Sequence, residues 1–378
     1  MKIAMIGHKR IPSREGGVEI VVSELSKRMV KSGHTVVAYN RKSEHIAGKE
    51  HEIAKDLDIW EGVKLKWIPT PNSSKLNAIV YSFLSTVNAV FHNYDIIHFH
   101  AEGPASMVIF AKLFGKRSIV TIHGLDWQRS KWGGFATEFL KFGEKTAAKY
   151  ADEIIVLSQN VKDYFKKAYN RETVFIPNGI SPAEPCLPDI IVDKYNIEKD
   201  GYLLFLGRLV PEKGIHYLIE AYNQIDTKKK LVIAGGSSHT SEYESKLKDM
   251  AKSNSDIIFT GFVEGKELEE LYSNAYVYCL PSDLEGMPIS LLEAMSYGNC
   301  CLTSNICECT EVCENNAEYF EKGNVDSLAQ KLSILCNDPE IVKQYKQISS
   351  SFILKKYNWD KITKETLDLY YNQKSEKQ

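Results

Sequence analysis

Two stretches of the second half concentrate side chains able to do chemistry. In LGRLVPEKGIHYLIEA, Arg208 stands at the end of a strand pattern and Lys213-Gly214 just before a helical one. Two cations beside a helix start suit a diphosphate, because fixed charge, guanidinium fork and backbone N–H donors converge there. In LPSDLEGMPISLLEAMSYG, Glu285 and Glu293 bracket another helix start at Gly286-Met287-Pro288. Helix starts attract anions, so acid on both sides asks for a ligand that also offers hydroxyl donors. IAGGSS, TGFVEG and LPSDLEGMP put glycines after three successive strand patterns, where backbone contacts to a nucleotide are favoured.

The first half carries histidines and a glycine pair. His123 closes a strand in TIHGLDWQ with Asp126 three residues on, a place for a group that meets a transferred moiety; a satisfied core histidine is the alternative. His98 and His100 share one strand face in HFHAEGP, ahead of Glu102. That pattern can begin a metal site, but no third ligand is evident, and a hydrogen-bonded pair is preferred. Gly16-Gly17, ahead of a helix with Val18, Val21, Val22 and Leu25 on its apolar face, allows close backbone approach to a ligand. It lacks both the dinucleotide fingerprint and the P-loop ending.

These groups need strand ends to hold them. Apolar, β-branched runs recur along the first half (KIAMIG, TVVAYN, VKLKWIP, DIIHFH, SIVTIHG, EIIVLS, TVFIPNG) and the second (YLLFLGR, KLVIAGG, DIIFTGF, AYVYCLPS, NCCLTSN), with helical stretches between them. Strands without clean alternation that alternate with helices imply parallel sheets covered on both faces. NGISPAEPCLPDI, with Pro182, Pro185 and Pro188, reads as a linker and hinge near residues 179–190. The expectation is an α/β chain of two doubly wound, Rossmann-like domains facing across a cleft. Ligands would lie beyond the C-terminal strand ends.

Composition narrows the class. The 378 residues are 43% hydrophobic and 25% charged, with a formal net charge of −2, which gives no reason to expect nucleic acid. Residues 1–180 hold 26 basic and 18 acidic residues, a net of +8, and the remainder 21 and 31, a net of −10. A basic first half suits an anionic surface or acceptor, or simply a different solvated face. MKIAMIGHK enters a strand at once, without the apolar core of a signal peptide. LNAIVYSFLSTVNAVF is short for a membrane span and is interrupted by Asn77, Ser82, Ser85, Thr86 and Asn88, so a buried amphipathic helix and a soluble, cytoplasmic protein are expected. All eight cysteines lie at or after Cys186, five of them in GNCCLTSNICECTEVC. Cys300-Cys301 point to opposite strand faces and no CxxC occurs, so small buried hydrophobes in a reducing compartment are expected rather than a metal site.

Taken together, GGVE, HFH, TIHG, PNGI, GRLVPEKG, TGFV and LEGMPISLLEAM, in this order over nearly the whole chain, resemble the family 4 retaining glycosyltransferases of GT-B fold. Glu285 to Glu293 matches the family's E-x7-E element, and GHKRIPSREGGVEIVVSEL is similar to the bacterial capsule, cell-wall and exopolysaccharide branch, which includes rhamnosyltransferases. The resemblance implies a nucleotide-sugar donor, a saccharide or lipid-linked acceptor, no cofactor and no essential metal. The domains would span residues 1–182 and 183–358, with the last helix, in 359–378, packing back on the first. Arg208 and Lys213 would neutralise the donor diphosphate, Glu285 would accept from hydroxyls of the transferred sugar, and Glu293 from the ribose. Backbone N–H groups around Gly286, Met287 and Pro288 would hold phosphate or sugar, except that Pro288 has none. Phe262 and Val263 would lie along the base or ribose, His123 would contact the transferred sugar, and Gly16 and Gly17 would let their loop close over the diphosphate.

The family's front-face reaction gives the acceptor proton to the donor phosphate; Glu285 as nucleophile is the minority reading. Cys300-Cys301 and ICECTE depart from the apolar pair and Gly-Gly of many relatives. No DxD pair of the metal-dependent kind stands at a strand end. Because acceptors in this branch are often lipid-linked, Lys9, Arg10, Arg14, Arg117, Arg129 and Lys131 are candidates for anionic lipid at the inner face of the cell membrane or for acceptor phosphate. The rival readings are an epimerase or phosphorylase on the same skeleton, and a non-catalytic nucleotide-sugar-binding scaffold.

Overall fold

The computed structural model describes residues 1–42, 57–73, 76–129, 133–236 and 241–372. The chain divides into two compact units, Met1–Gly179 with the terminal stretch from Trp359, and Ile180–Asn358. The division falls between Gly179 and Ile180, three residues before the sequence-based boundary, because Ile180 N–H donates to Tyr357 O at 2.7 Å and bridges Asn358.

The first unit is an eight-stranded sheet of order β3-β4-β2-β1-β5-β6-β7-β8. Its strands are β1 Lys2–Ile6, β2 Thr35–Lys42, β3 Ile59–Trp60, β4 Val63–Pro69, β5 Ile96–His100, β6 Ser118–Ile122, β7 Glu153–Val156 and β8 Val174–Phe175. Every pairing is parallel except β3 with β4. β5 and β6 are buried at every position, which is why their sequences read as continuous rather than alternating. The helix Gly17–Lys31 turns Val21, Val22, Leu25 and Met29 inward at helical spacing. Against it packs the terminal helix Trp359–Tyr371. Arg117 caps that helix's C-terminus, donating to the carbonyls of Leu369, Tyr370 and Asn372, a cation where the dipole favours one.

The second unit is a six-stranded parallel sheet of order β11-β10-β9-β12-β13-β14. Its strands are β9 Tyr202–Leu206, β10 Lys230–Ala234, β11 Ile257–Gly261, β12 Val277–Leu280, β13 Cys300–Ser304 and β14 Glu318–Phe320. β9 is central: the chain winds outward to β10 and β11 on one side, then returns to lay β12 on the other. Such a reversal opens a crevice outside the C-terminal ends of the two strands that flank it. In the first unit β1 and β5 flank the corresponding point.

After β1 in the first unit and after β10 in the second, a glycine permits neighbouring strand ends to crowd. Gly7 has φ +130°, and a Cβ there would stand 2.1 Å from His100 O; Gly235 has φ +139°, with 1.8 Å to Gly207 O. Gly235→Ala is therefore expected to destabilise the second unit by at least about 2 kcal/mol through strain and backbone displacement. A guanidinium melt checks this; a midpoint within error of the parent would contradict it.

One helix meets expectation with a mixed inward face. Asn77–Val90 is amphipathic and buries Tyr81, Ala89 and Val90 in the core together with Ser82, Ser85 and Thr86, while Phe83 and Leu84 are exposed. Ser82 Oγ and Thr86 Oγ1 donate to carbonyls one turn back, at 2.7 Å each. Those internal bonds satisfy the hydroxyls of Ser82 and Thr86, whereas Ser85 Oγ is buried without a hydrogen-bond partner. The cysteines behave largely as expected. All are free thiols, and Cys279, Cys300, Cys301, Cys309 and Cys313 are buried, whereas Cys307 is exposed. Burial pushes the Cys300 and Cys313 thiols up to about 12.

Candidate active site

The loops that leave β9 and β12 are bound to each other. Gly214, at φ +65°, begins the helix Ile215–Tyr222, and a Cβ on it would lie 2.0 Å from Pro281 O. Only glycine allows that approach. Asp283 N–H donates to Glu212 O at 2.8 Å, a second clamp between the same loops. Lys213 closes the 3-10 turn Pro211–Lys213 and is thereby aimed at the β12 loop. Its Nζ lies 2.6 Å from Glu285 Oε1, with side chains only 13% and 8% exposed. Ser282 Oγ donates to the same oxygen at 2.6 Å. A Lys ammonium has three N–H donors, so one bond to Glu285 leaves capacity for a ligand. Arg208 is half-buried two residues beyond β9, where Leu209 N–H donates to Gly236 O at 3.2 Å.

Gly286, Met287 and Pro288 are all buried, and Pro288 is the cap residue of the helix Ile289–Ser296. The N–H groups of Leu291 and Leu292 turn back to Pro288 O, at 3.1 and 3.3 Å. The helix-start donors without an intrahelical acceptor are consequently those of Ile289 and Ser290, one residue beyond the three proposed from sequence. Glu293 lies on the second turn of the same helix, and its Oε2 accepts from Tyr272 Oη at 3.1 Å. Tyr272 is itself stacked on Tyr297, with centroids 5.3 Å apart. Beyond β11, Phe262 is 55% exposed while Val263 turns inward at 8%. Of that pair, Phe262 presents its ring and Val263 packs.

In the first unit, the histidines gather at the ends of β5 and β6. His123 Nε2 is 3.1 Å from His100 Nδ1. The His98 and His100 rings lie 4.1 Å apart at 31°. His98 pairs with Tyr370 Oη at 2.6 Å and Thr121 Oγ1 at 2.7 Å, tying the terminal helix to the sheet. Burial lowers His123 to about 4 and His98 to about 3, and holds His100 well below its usual value, so all three rings are neutral near pH 7. Among the described residues no group of three or more His, Cys, Asp or Glu side chains could hold a metal ion.

Several supporting groups were not legible in the sequence. Glu144 accepts from Trp127 Nε1 at 3.0 Å and from Tyr164 Oη at 2.7 Å, anchoring the turn Asp126–Gln128 that follows His123. Glu102 is fully buried beside it, and desolvation, then the charges of Asp126 and Glu144, push its carboxyl up to about 10. Asn40 locks the loop after β1, pairing with His8 Nε2 at 3.0 Å, accepting from Ile11 N–H at 3.0 Å and donating to Ile11 O at 2.8 Å. Glu19 joins in by accepting from Lys9 N–H at 2.8 Å. Gly16 then caps the helix that begins at Gly17; a Cβ on Gly16 would meet Glu19 Oε2 at 2.4 Å. No alternation or motif marks Asn40 or Glu144, because each acts on a loop from another element, whereas Glu19 stands in the GGVE stretch and Glu102 follows HFH.

The proposed basic lipid-facing set is altered by its partners. Arg10 has no exposed area and pairs with Glu15 at 2.6 Å, Arg117 is engaged by the terminal helix, and Arg129 pairs with Asp126 at 2.8 Å. Lys131 lies outside the described residues.

Comparison with known proteins agrees with this geometry. The family described as Glycosyl transferases group 1 matches residues 189–377, and Glycosyltransferase Family 4 matches residues 15–184. A Methanocaldococcus jannaschii protein named as an uncharacterized glycosyltransferase is 26% identical, covering 98% of both chains. Sucrose-phosphate synthase from Thermosynechococcus elongatus superposes with a TM-score of 0.82 at 21% identity, over 98% of each chain. Anabaena HepE, solved in complex with UDP-glucose, gives 0.81 at 16% identity, over 99% of this chain and 100% of its own. The two mainly parallel α/β sheets and the matched sequence families establish the chain as a glycosyltransferase of the Glycosyl transferases group 1 family, built on the GT-B fold of two Rossmann-like domains.

Proposed function

We propose that the enzyme transfers a sugar from a nucleoside diphosphate to an acceptor hydroxyl, with retention of anomeric configuration. The observation that carries this reading is the Lys213–Glu285 pair, nearly buried at the switch point of the second sheet and beside a helix start. A cation, a carboxylate and free-ended N–H donors adjoin there, and a nucleotide sugar offers diphosphate and hydroxyls in the same succession. As the bond from sugar to phosphate lengthens, positive charge grows on the sugar ring and negative charge on the leaving diphosphate. Lys213, Arg208 and the N–H groups of Ile289 and Ser290 stabilise the latter. Glu285 accepts from hydroxyls of the transferred sugar, and Glu293, oriented by Tyr272, from the ribose. Phe262 offers its ring to the base or ribose. His123, as a neutral imidazole in the first unit, is assigned to the transferred sugar. The glycines Gly16 and Gly17 are assigned to backbone approach at the diphosphate. Protein cations supply the positive charge in this scheme, so transfer is proposed to be independent of metal.

Within this class we propose assembly of a bacterial surface polysaccharide or glycolipid, with rhamnose as a candidate transferred sugar, on the strength of the resemblance in the β1 loop. A thermal-shift panel of nucleotide sugars, rhamnose donors included, tests the reading. A donor present at a hundred times its Kd is expected to stabilise the fold by about 2.7 kcal/mol. Product analysis with the best binder should then give a glycoside of unchanged anomeric configuration, formed equally in excess chelator. An inverted product, or conversion of the donor to an epimer without acceptor, would overturn it.

A further inference from the structure

Two carboxyls of the first unit have no part in the transfer proposed above and are completely buried, Glu102 and Glu144. Glu102 opens the short helix Glu102–Ala105 just after β5, and Glu144 lies in the helix Phe135–Tyr150. The two helices meet at their backbones here: a Cβ on Gly143 would stand 1.9 Å from Glu102 O. Glu144 is well supplied with donors. Its Oε2 accepts from Trp127 Nε1 at 3.0 Å, and its Oε1 from Tyr164 Oη at 2.7 Å and Tyr169 Oη at 2.5 Å. Glu102 is not. Neither of its carboxyl oxygens finds an N–H or O–H partner among the described residues. The Asp126 N–H that faces it is committed to Gly124 O at 3.1 Å.

A carboxylate buried without donors is strongly disfavoured, so Glu102 holds its proton. The group within hydrogen-bond reach of it is the Glu144 carboxyl, and two carboxyls bond only when one of them is protonated. The donors decide which one. Three of them stabilise charge on Glu144, so the proton sits on Glu102 and its O–H donates to Glu144. The packed elements supply no cation to change this. Arg129 pairs with Asp126 at 2.8 Å, Lys112 with Asp152 at 3.1 Å, and Lys141 stands over the Trp127 ring, 5.0 Å from its centroid. Lys145 and Lys149 are exposed, His100 and His123 are neutral, and the helix Asn77–Val90 carries no charge. Trp127 belongs to the turn Asp126–Gln128, which follows His123. We propose that Glu102 and Glu144 share one proton as a positioning pair, and that the Glu144 carboxylate, held by all four donors, fixes the turn Asp126–Gln128 beside His123 for sugar transfer. The role in transfer rests on the function proposed above; the shared proton does not.

The test uses the full chain, and two of its three readouts need no substrate. Infrared spectra at pH 7 should show a protonated-carboxyl C=O band in the parent that is missing from Glu102→Gln. Glu102→Met fills the same space without a donor, whereas the Glu102→Gln amide keeps one. The amides of Gln128 and Arg129 donate to Leu125 O and Asp126 O at 3.0 and 3.1 Å. Their hydrogen exchange should be at least about tenfold faster in Glu102→Met and parent-like in Glu102→Gln. With the best-binding nucleotide sugar, Glu102→Met should lower kcat by about 10- to 100-fold at an unchanged donor KM, and Glu102→Gln should restore it. A parent without the band, a Glu102→Met variant that exchanges like the parent, or a Glu102→Gln variant as impaired as Glu102→Met would overturn the proposal. A parent that shows the band and the protected amides but transfers no sugar upholds the pair and counts against the proposed function alone.

Discussion

Lowering the pH from 7 to 4 is expected to destabilise the first unit by more than an ordinary folding margin. Four histidines there, His8, His98, His100 and His123, are held neutral, each chiefly by burial; His8 and His123 lie at about 4 and His98 at about 3. Their unfolded value is near 6.5. Below it the unfolded chain takes up protons that the folded chain rejects, so stability is full above about 6.5 and falls as the pH drops towards 4. For His8 or His123 alone the loss across that window is about 3 kcal/mol, against a typical total of roughly 5–15 kcal/mol. Glu102 opposes this. With its carboxyl pushed up to about 10, it keeps its proton in the folded state from about 4.5 to 10, and its contribution improves as the pH falls. One proton cannot offset several, so the net slope below 6.5 stays steep.

Above neutrality only the Glu102 effect remains, and stability should decline slowly. Melting temperatures from pH 9 to 4 read both limbs. Glu102→Gln should flatten the alkaline limb and steepen the acid limb down to about 4.5, because the opposing proton is then missing there too. A melting temperature that stays level from pH 7 to 4.5 would remove the histidine argument.

Replacing Lys213 with alanine is expected to lower kcat by about 10²-fold or more, the usual cost of removing a donor aimed at charge that develops in the transition state. The same change leaves Glu285 nearly buried without its cation, so stability should fall too, by less than the roughly 3–5 kcal/mol seen for fully buried pairs, since some solvent reaches both groups. The double variant Lys213→Ala/Glu285→Gln separates the two effects. Neutralising the stranded carboxylate should recover much of the lost stability while leaving kcat low. Recovery of activity along with stability would make the pair a structural strut. Glu285→Gln alone, if fully active, would remove Glu285 from the proposed chemistry.

The residues that were legible in the sequence share one property: their neighbours in space are also neighbours in the chain. Arg208, Lys213 and Gly214 announce themselves because a strand end, a turn and a helix start lie within one stretch. The same holds for Glu285 and Glu293, eight residues apart on either side of Pro288. The helix starts one position beyond the stretch read from sequence, with Pro288 as its cap, because that position is decided by backbone dihedrals and not by the identity of the preceding glycine. Asn40, Glu144 and Tyr272 were invisible for a stronger reason. Each holds a loop or helix from another strand or helix, and nothing in its own flanking residues names the one it will meet.

The helix Asn77–Val90 shows where pattern reading stops. Burial preference puts large apolar groups inside, yet Phe83 and Leu84 are exposed while Ser82, Ser85 and Thr86 share the inward face with Tyr81, Ala89 and Val90. Hydroxyl bonds of Ser82 and Thr86 within the helix make that feasible.

By itself the sequence determined the alternation of buried strands and helices, the break near Gly179, and the cations and carboxylates that follow β9 and β12, because each depends on local backbone preference and burial within a few residues. Only the tertiary structure decided that β12 lies against β9, that Gly214 therefore backs onto Pro281, and that Lys213 reaches Glu285. Sheet order is set by which faces can be covered together across the whole unit, and that global packing brings together charges 72 positions apart in the chain.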